Sequence, residues 1–205
     1  MRITDHRYAR DVRRYNLALR LIAHEARTQT ISLWTGLPEE RVRNLCQSYA
    51  KSEQGLSRHR GPSPNRPGIF LRSLRMRNEG AALGGLFQIF GVVPEASMPN
   101  ARSDLPSLTR GERLCNAYDF YSHMIPDTSV KIEYAVMLAI ALAQGTEILL
   151  AMCSRCGCAI LVDRYGTARR TCMYCLHGGL RVEDLRDVNQ IDELMPVADA
   201  QQTLF

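Results

Sequence analysis

The sequence predicts a mainly α chain: a helical domain with a helix-turn-helix-like N-terminal part and a small C-terminal zinc ribbon, a β-hairpin carrying two cysteine knuckles. Three observations lead there. Apolar residues recur at three- and four-residue steps through several long segments, the period of an amphipathic helix. Two stretches dense in proline, 54–68 and 94–107, separate those segments. Five of the seven cysteines fall between residues 153 and 175, and clustering of that kind points to metal.

Residues 5–27 read as a helix, because Tyr8, Val12, Tyr15, Leu19, Ile22 and Ala26 draw one apolar stripe. Arg10, Arg13, Arg14 and Arg20 fall largely off it. A short second helix runs from Thr28 to Trp34 and breaks at Gly36. A third starts at Pro38, where proline fits the first turn, with Glu39 and Glu40 at the positive end of the helix dipole. Its expected buried face is Val42, Leu45, Cys46 and Tyr49.

Residues 54–68 form a basic arm rich in proline and glycine. Helix is expected again over 73–90, softened by Gly80, Gly84 and Gly85, and over 109–124, with Leu114, Ala117, Tyr118 and Tyr121 inward. Residues 126–129 read as a turn and cap. Val130 to Met152 is the most hydrophobic segment and is expected to be one buried helix, covered within the domain or by a partner. The chain thus divides into a helix-turn-helix-like region (1–53), the basic arm (54–68), a helical core (69–152), the zinc ribbon (153–176) and an acidic tail (177–205).

The 205 residues carry a net charge of +5, but its distribution is uneven. Residues 1–78 hold 16 Lys and Arg against 6 Asp and Glu, and the remainder holds 10 against 15. A polyanion-facing N-terminal half follows. All basic residues except Lys51 and Lys131 are arginines. Arginine suits bidentate phosphate and guanine contacts, although codon usage in a GC-rich genome gives the same skew. The longest apolar run, Ala135 to Ala143, is far short of the roughly 20 residues of a membrane span. The N-terminus lacks the apolar core of a signal peptide. A cytoplasmic protein is expected, with no membrane partner.

The spacing Cys153-x2-Cys156-x15-Cys172-x2-Cys175 is that of a four-thiolate zinc site. Ile160, Leu161 and Val162 are strand formers, Tyr165-Gly166 offers a turn, and Gly157 lets the backbone fold tightly around the first pair. Four thiolates close the coordination sphere of one Zn2+, so its role is structural. An iron–sulfur cluster and a redox dithiol are the other chemistries of such cysteines. Cys158 is left out, because i, i+2 spacing gives a poorer knuckle than i, i+3.

Thr28 to Leu45 fits a helix-turn-helix template, with Ile31 inward, Ser32 at the crossing, Gly36 in the turn, and Val42 and Leu45 packing the second helix. In DNA-binding versions that helix enters the major groove. Here it presents Glu40, Arg41, Arg43, Asn44 and Gln47, of which Arg41, Arg43 and Asn44 are candidates for base edges. The acidic pair Glu39-Glu40 opposes close approach to phosphate, and a plain helical hairpin has the same pattern. Candidates for phosphate contact are Lys51, then Arg58, Arg60 and Arg66 on the arm, and Arg164, Arg169 and Arg170 on the ribbon.

With these pieces in order, the chain resembles the FlhC family, a subunit of the flagellar master transcriptional activator of bacteria. The resemblance rests on Ala26-Arg27 through Tyr49, Gly61-Pro62-Ser63-Pro64, Leu114-Cys115-Asn116-Ala117-Tyr118, Leu138 through Leu150, and the cysteine run from Cys153 to Cys175. It implies a heterohexamer of four FlhD and two FlhC subunits that binds promoters of flagellar operons and recruits RNA polymerase. It also implies zinc ligation by Cys153, Cys156, Cys172 and Cys175. The acidic tail after Leu176 receives no role from it. The alternative is a zinc-dependent assembly or adaptor subunit that touches DNA little. An enzyme is not expected: there is no H-x-E motif, no P-loop and no G-x-S-x-G, and the five histidines are scattered.

Overall fold

The structure is a computed structural model that describes residues 5–52, 64–93, 105–166 and 170–176. Among these, seven α-helices surround one core: α1 (Asp5–Ala23), α2 (Thr28–Thr35), α3 (Glu39–Ser52), α4 (Leu74–Ile89), α5 (Leu108–Met124), α6 (Ile132–Gln144) and α7 (Met173–Leu176). A 3-10 turn (Pro67–Leu71) precedes α4, and two strands, β1 (Ile148–Met152) and β2 (Ala159–Asp163), form an antiparallel hairpin. No helix among the described residues is long and apolar enough to cross a membrane.

The stripe expected on α1 is buried only in part: Ile22 is buried, and Tyr15 and Ala26 pack against the core. Leu17, Ala18, Leu21 and Ile22 face the core, while Tyr8, Val12 and Leu19 are exposed. At 100° per residue the buried set lies roughly a third of a turn from the stripe. Two exposed ion pairs link the outer edge of α1 to α5: Arg13 donates to Glu112 at 2.6 Å, and Arg20 pairs with Asp119. Both pairs span 99 residues, so α1 and α5 run parallel.

The second and third helices join as the template requires. Gly36 takes a left-handed conformation (φ 69°) and its N–H closes α2 on the Ser32 carbonyl at 2.8 Å. That conformation suits a residue without Cβ. The Ser32 hydroxyl donates to the Leu37 carbonyl at 2.6 Å, which fixes the exit direction of the turn. Ile31, Trp34, Leu37 and Val42 are buried beneath it, whereas Leu45, Cys46 and Tyr49 are half-buried. At the other end of α2 the buried Glu133 carboxylate accepts the Arg27 N–H at 2.8 Å and the Thr30 hydroxyl at 3.0 Å. It thereby satisfies donors that a helix start leaves open.

The sixth helix is the centre of the core, and its burial is supplied by the chain itself: Ala135 to Ala139 and Ala141 to Ala143 are all buried. It stops at Gly145 (φ 59°), not at Met152 as the run of apolar residues led us to expect. Residues 148–152 leave the helix as β1 and pair with β2 in the register Leu150↔Leu161. The reason is local: Gly145 breaks the helix in the left-handed region, and Ile148 and Leu161 are buried in the strands that follow.

The hairpin seats on α4. Gly80 permits it, because a Cβ there would stand 2.7 Å from both Leu161 Cδ1 and Phe70 Cδ1. One residue earlier, the buried Glu79 carboxylate accepts Arg75 Nε–H at 2.6 Å, the Thr128 hydroxyl at 2.8 Å, the Ser129 N–H at 2.8 Å and the Tyr121 hydroxyl at 3.1 Å. This polar knot ties α4 to α5 and to the turn before α6. Burial opposes ionisation of Glu79, but the four donors outweigh it and hold the carboxyl below its ordinary value.

Candidate metal centre

Cys153 follows β1 directly and Cys156 lies in the hairpin loop, so the first cysteine pair forms the tip of the hairpin. This differs from the expected arrangement, in which a hairpin lay between the two pairs. The loop folds back because Cys153 N–H donates to the Cys158 carbonyl at 2.8 Å and Gly157 N–H to the Cys153 carbonyl at 2.9 Å. Gly157 is left-handed there (φ 71°). The second pair belongs to the short α7, with Cys172 just before it and Cys175 on it. Two bonds dock it on the first: Ser154 N–H to the Arg170 carbonyl at 2.8 Å, and Arg155 Nη1–H to the Cys175 carbonyl at 2.7 Å.

The result is a four-sulfur group. The sulfurs of Cys153, Cys156, Cys172 and Cys175 all lie within 4.8 Å of one another, and Cys156 Sγ stands 3.6 Å from Cys172 Sγ. All seven cysteines are free thiols. A tetrahedron of thiolates at a metal–sulfur distance of about 2.3 Å has sulfurs about 3.8 Å apart. The group therefore fits one tetrahedral ion. A multi-iron cluster spreads its thiolates over several metal atoms and sets them further apart.

Backbone donors prepare the sulfurs for a cation. Cys172 N–H reaches Cys153 Sγ at 3.2 Å, Arg155 N–H reaches the same sulfur at 3.5 Å, and Cys175 N–H reaches Cys172 Sγ at 3.3 Å. The Cys172 N–H first, then those of Cys156 and Arg155, push the Cys153 thiol down to about 5. Contact with the Cys156 sulfur first, then burial, pushes the Cys175 thiol up to about 12. In the bare group one thiolate forms readily and its neighbour resists ionising beside it. A bound dication removes that resistance, because every ligand can then ionise. Cys158 sits beside Cys156 and Cys172 but outside the four. Its carbonyl accepts from Cys153, its N–H points at the Cys156 sulfur, and its thiol contacts the sulfurs of Cys156 and Cys172.

The described residues singled out for DNA contact occupy three places: α3, the metal lobe and the start of the 3-10 turn. On α3, Arg41, Arg43 and Asn44 are exposed. Arg41 Nη1–H donates to the Tyr15 hydroxyl at 2.7 Å, and Arg43 pairs with Glu39 at 2.7 Å. Lys51 belongs to α3, but its side chain is outside the described residues, as are Arg58, Arg60 and Arg169. Around the metal group, Arg170 is exposed and Arg164 donates to the Gly145 carbonyl, bracing the base of the hairpin. Arg66 is exposed just before the 3-10 turn. The helix-turn-helix packs on α1 and α5, and the hairpin on α4 and α6.

Sequence reasoning missed one contributor. Arg155 joins the two cysteine pairs, and its position inside the first pair was the available signal. Compared with known proteins, the chain matches no family model and no curated protein.

Proposed function

We propose that this chain is a DNA-binding transcription activator of flagellar operons. It acts with an FlhD-like subunit, four of those to two of this chain, and recruits RNA polymerase in the cytoplasm. Its four cysteines hold one structural Zn2+, since a closed set of four thiolates suits zinc and leaves no position for a catalytic water. The observation that carries the reading is the outward face of α3. Glu40, Arg41, Arg43, Asn44 and Gln47 are all exposed on the second helix of a hairpin whose turn is fixed at Gly36, the disposition of a recognition helix. The internal partners of its arginines do not oppose this. An exposed i, i+4 pair such as Glu39–Arg43 is worth about 0.3–0.5 kcal/mol, less than the roughly 1–3 kcal/mol of a bidentate base contact.

The test is promoter affinity against salt for the co-purified complex. Arg66→Ala/Arg170→Ala should weaken all sequences alike and reduce the salt slope by roughly one unit per lost phosphate contact. Arg43→Ala/Asn44→Ala should cost roughly 1–3 kcal/mol at one operator position. A complex with no preference for promoter over random DNA sinks the proposal.

One observation favours the adaptor reading. Ile89, Phe120 and Met124 are exposed at 80%, 49% and 61%, with Phe90 and Phe120 rings in contact at 6.2 Å. An apolar patch of this kind suits a protein partner. Stable complex formation with unspecific, weak DNA binding would select that reading.

A further inference from the structure

A cleft of about 560 Å³ lies between α2 and α6. On the α6 side it is lined by Glu133, Val136, Met137, Ile140, Ala141 and Gln144. These positions follow one face of the helix for three turns, roughly 16 Å at 1.5 Å per residue. Across from them, Leu33 of α2 leaves 56% of its surface in solvent. The cleft is therefore long and narrow, with an apolar stripe along its length.

The charge on its walls has one sign. Glu39, Glu133 and Glu147 line it, and no Lys, Arg or His does so among the described residues. The remaining polar lining is uncharged amide and hydroxyl. Glu133, at the start of α6, is buried and accepts two neutral donors, the Arg27 N–H and the Thr30 hydroxyl. Glu147, past the end of α6, is exposed and has no ion-pair partner among the described residues. Glu39 is exposed and pairs with Arg43. An acidic cleft on a chain of net charge +5 is the opposite of a surface for a polyanion, and it attracts a cationic partner.

We propose that this cleft docks a segment of a partner protein, an amphipathic helix with an apolar stripe flanked by Lys or Arg. Its apolar side chains cover Leu33, Met137 and Ile140, and its basic residues meet Glu147 and Glu39 at the lip. The length of the cleft along α6 matches the i, i+4, i+7 anchors by which a helix is read in a groove. The unanswered carboxylates select a basic helix and repel an acidic one. The inference holds whether or not the chain binds DNA.

The test uses the full chain and a fluorescein-labelled helical peptide with leucines at i, i+4 and i+7 and lysines flanking them, followed by anisotropy. The control peptide has glutamate in place of every lysine. The lysine peptide should bind at least about tenfold more tightly than the control, and the difference should shrink as salt rises. Glu147→Lys, and separately Leu33→Asp, should each weaken the lysine peptide by about tenfold. Both residues are exposed, so the far-UV circular dichroism should stay unchanged. A photo-crosslinking phenylalanine analogue at Gln144, exposed on the rim, should capture the lysine peptide. Equal affinity for the two peptides, no binding of either, or wild-type affinity in either variant overturns the proposal. So do crosslinks that reach only a second copy or another segment of this chain.

Discussion

Gly80 and Gly85 lie on the same helix but should answer substitution by alanine with opposite signs. Each gains intrinsic helix propensity, about 0.8–1 kcal/mol for glycine to alanine. At Gly85 an added Cβ meets only Ala159 Cβ at 3.9 Å, an ordinary contact. At Gly80 it meets Leu161 and Phe70 carbons at 2.7 Å, about 1 Å inside contact distance. Neither neighbour can yield cheaply: Phe70 is 0% exposed and Leu161 2%. Overpacking of a filled core costs roughly 1–3 kcal/mol, so Gly80→Ala should lose about 1–2 kcal/mol net, and Gly85→Ala should gain up to about 1. For a chain of this size each kcal/mol moves Tm by about 2–4 °C, well within thermal denaturation by circular dichroism. Because Leu161 belongs to β2, Gly80→Ala should also loosen the hairpin and weaken metal retention against a chelator, while Gly85→Ala should not. A Tm raised by Gly80→Ala, or lowered equally by both, would refute the close approach of α4 and β2.

Two further outcomes follow from the buried groups. Glu79→Gln removes charge from a site with four donors and should cost on the order of 2–3 kcal/mol, read from denaturant midpoints. The same carboxyl is held below its ordinary value of 4.5, so its contribution is fully present above that pH and is lost as pH falls through its lowered value. Wild-type stability should therefore decline below about pH 4.5, and Glu79→Gln should show a shallower decline; parallel acid limbs would contradict the network. Cys153→Ser or Cys172→Ser should abolish stoichiometric metal by elemental analysis while leaving the helical circular dichroism in place, since the α5–α6 core lies elsewhere. Cys158→Ser should leave metal content unchanged, because its sulfur is not one of the four.

The helices were legible where a period and a punctuating residue agreed. Gly36 marked the turn between α2 and α3, and the inward set Leu114, Ala117, Tyr118 and Tyr121 on α5 is buried. Two misreadings share a cause. The stripe on α1 and the apolar run to Met152 were each judged by composition along one segment, and both were decided by a distant one. The packing of Leu17 against α5 at Gly111 set the rotation of α1. Pairing with residues 159–163 turned the end of the run into a strand. Periodicity reports that a face is apolar, and the partner across the core determines which face is buried.

The cysteine group shows the opposite case, and its contrast with the arginines explains why. Metal ligation needs four sulfurs within a few ångströms, and two short C-x2-C motifs deliver them almost irrespective of the surrounding fold. What spacing left open was the position of the hairpin, because β2 pairs backward to β1 instead of forward to the second knuckle. The arginines obey no such local rule. Arg155 and Arg164 were equal as charges in the sequence, yet each donates to a carbonyl that holds the lobe together, while Arg170 is exposed. Arg155 and Arg164 keep their charge and their exposure, but their removal also takes away a structural hydrogen bond. Of the two described ribbon arginines proposed for phosphate, Arg164 and Arg170, it is Arg170 whose loss should change the salt slope without loosening the hairpin. Arg164→Ala should instead show its first effect on metal retention.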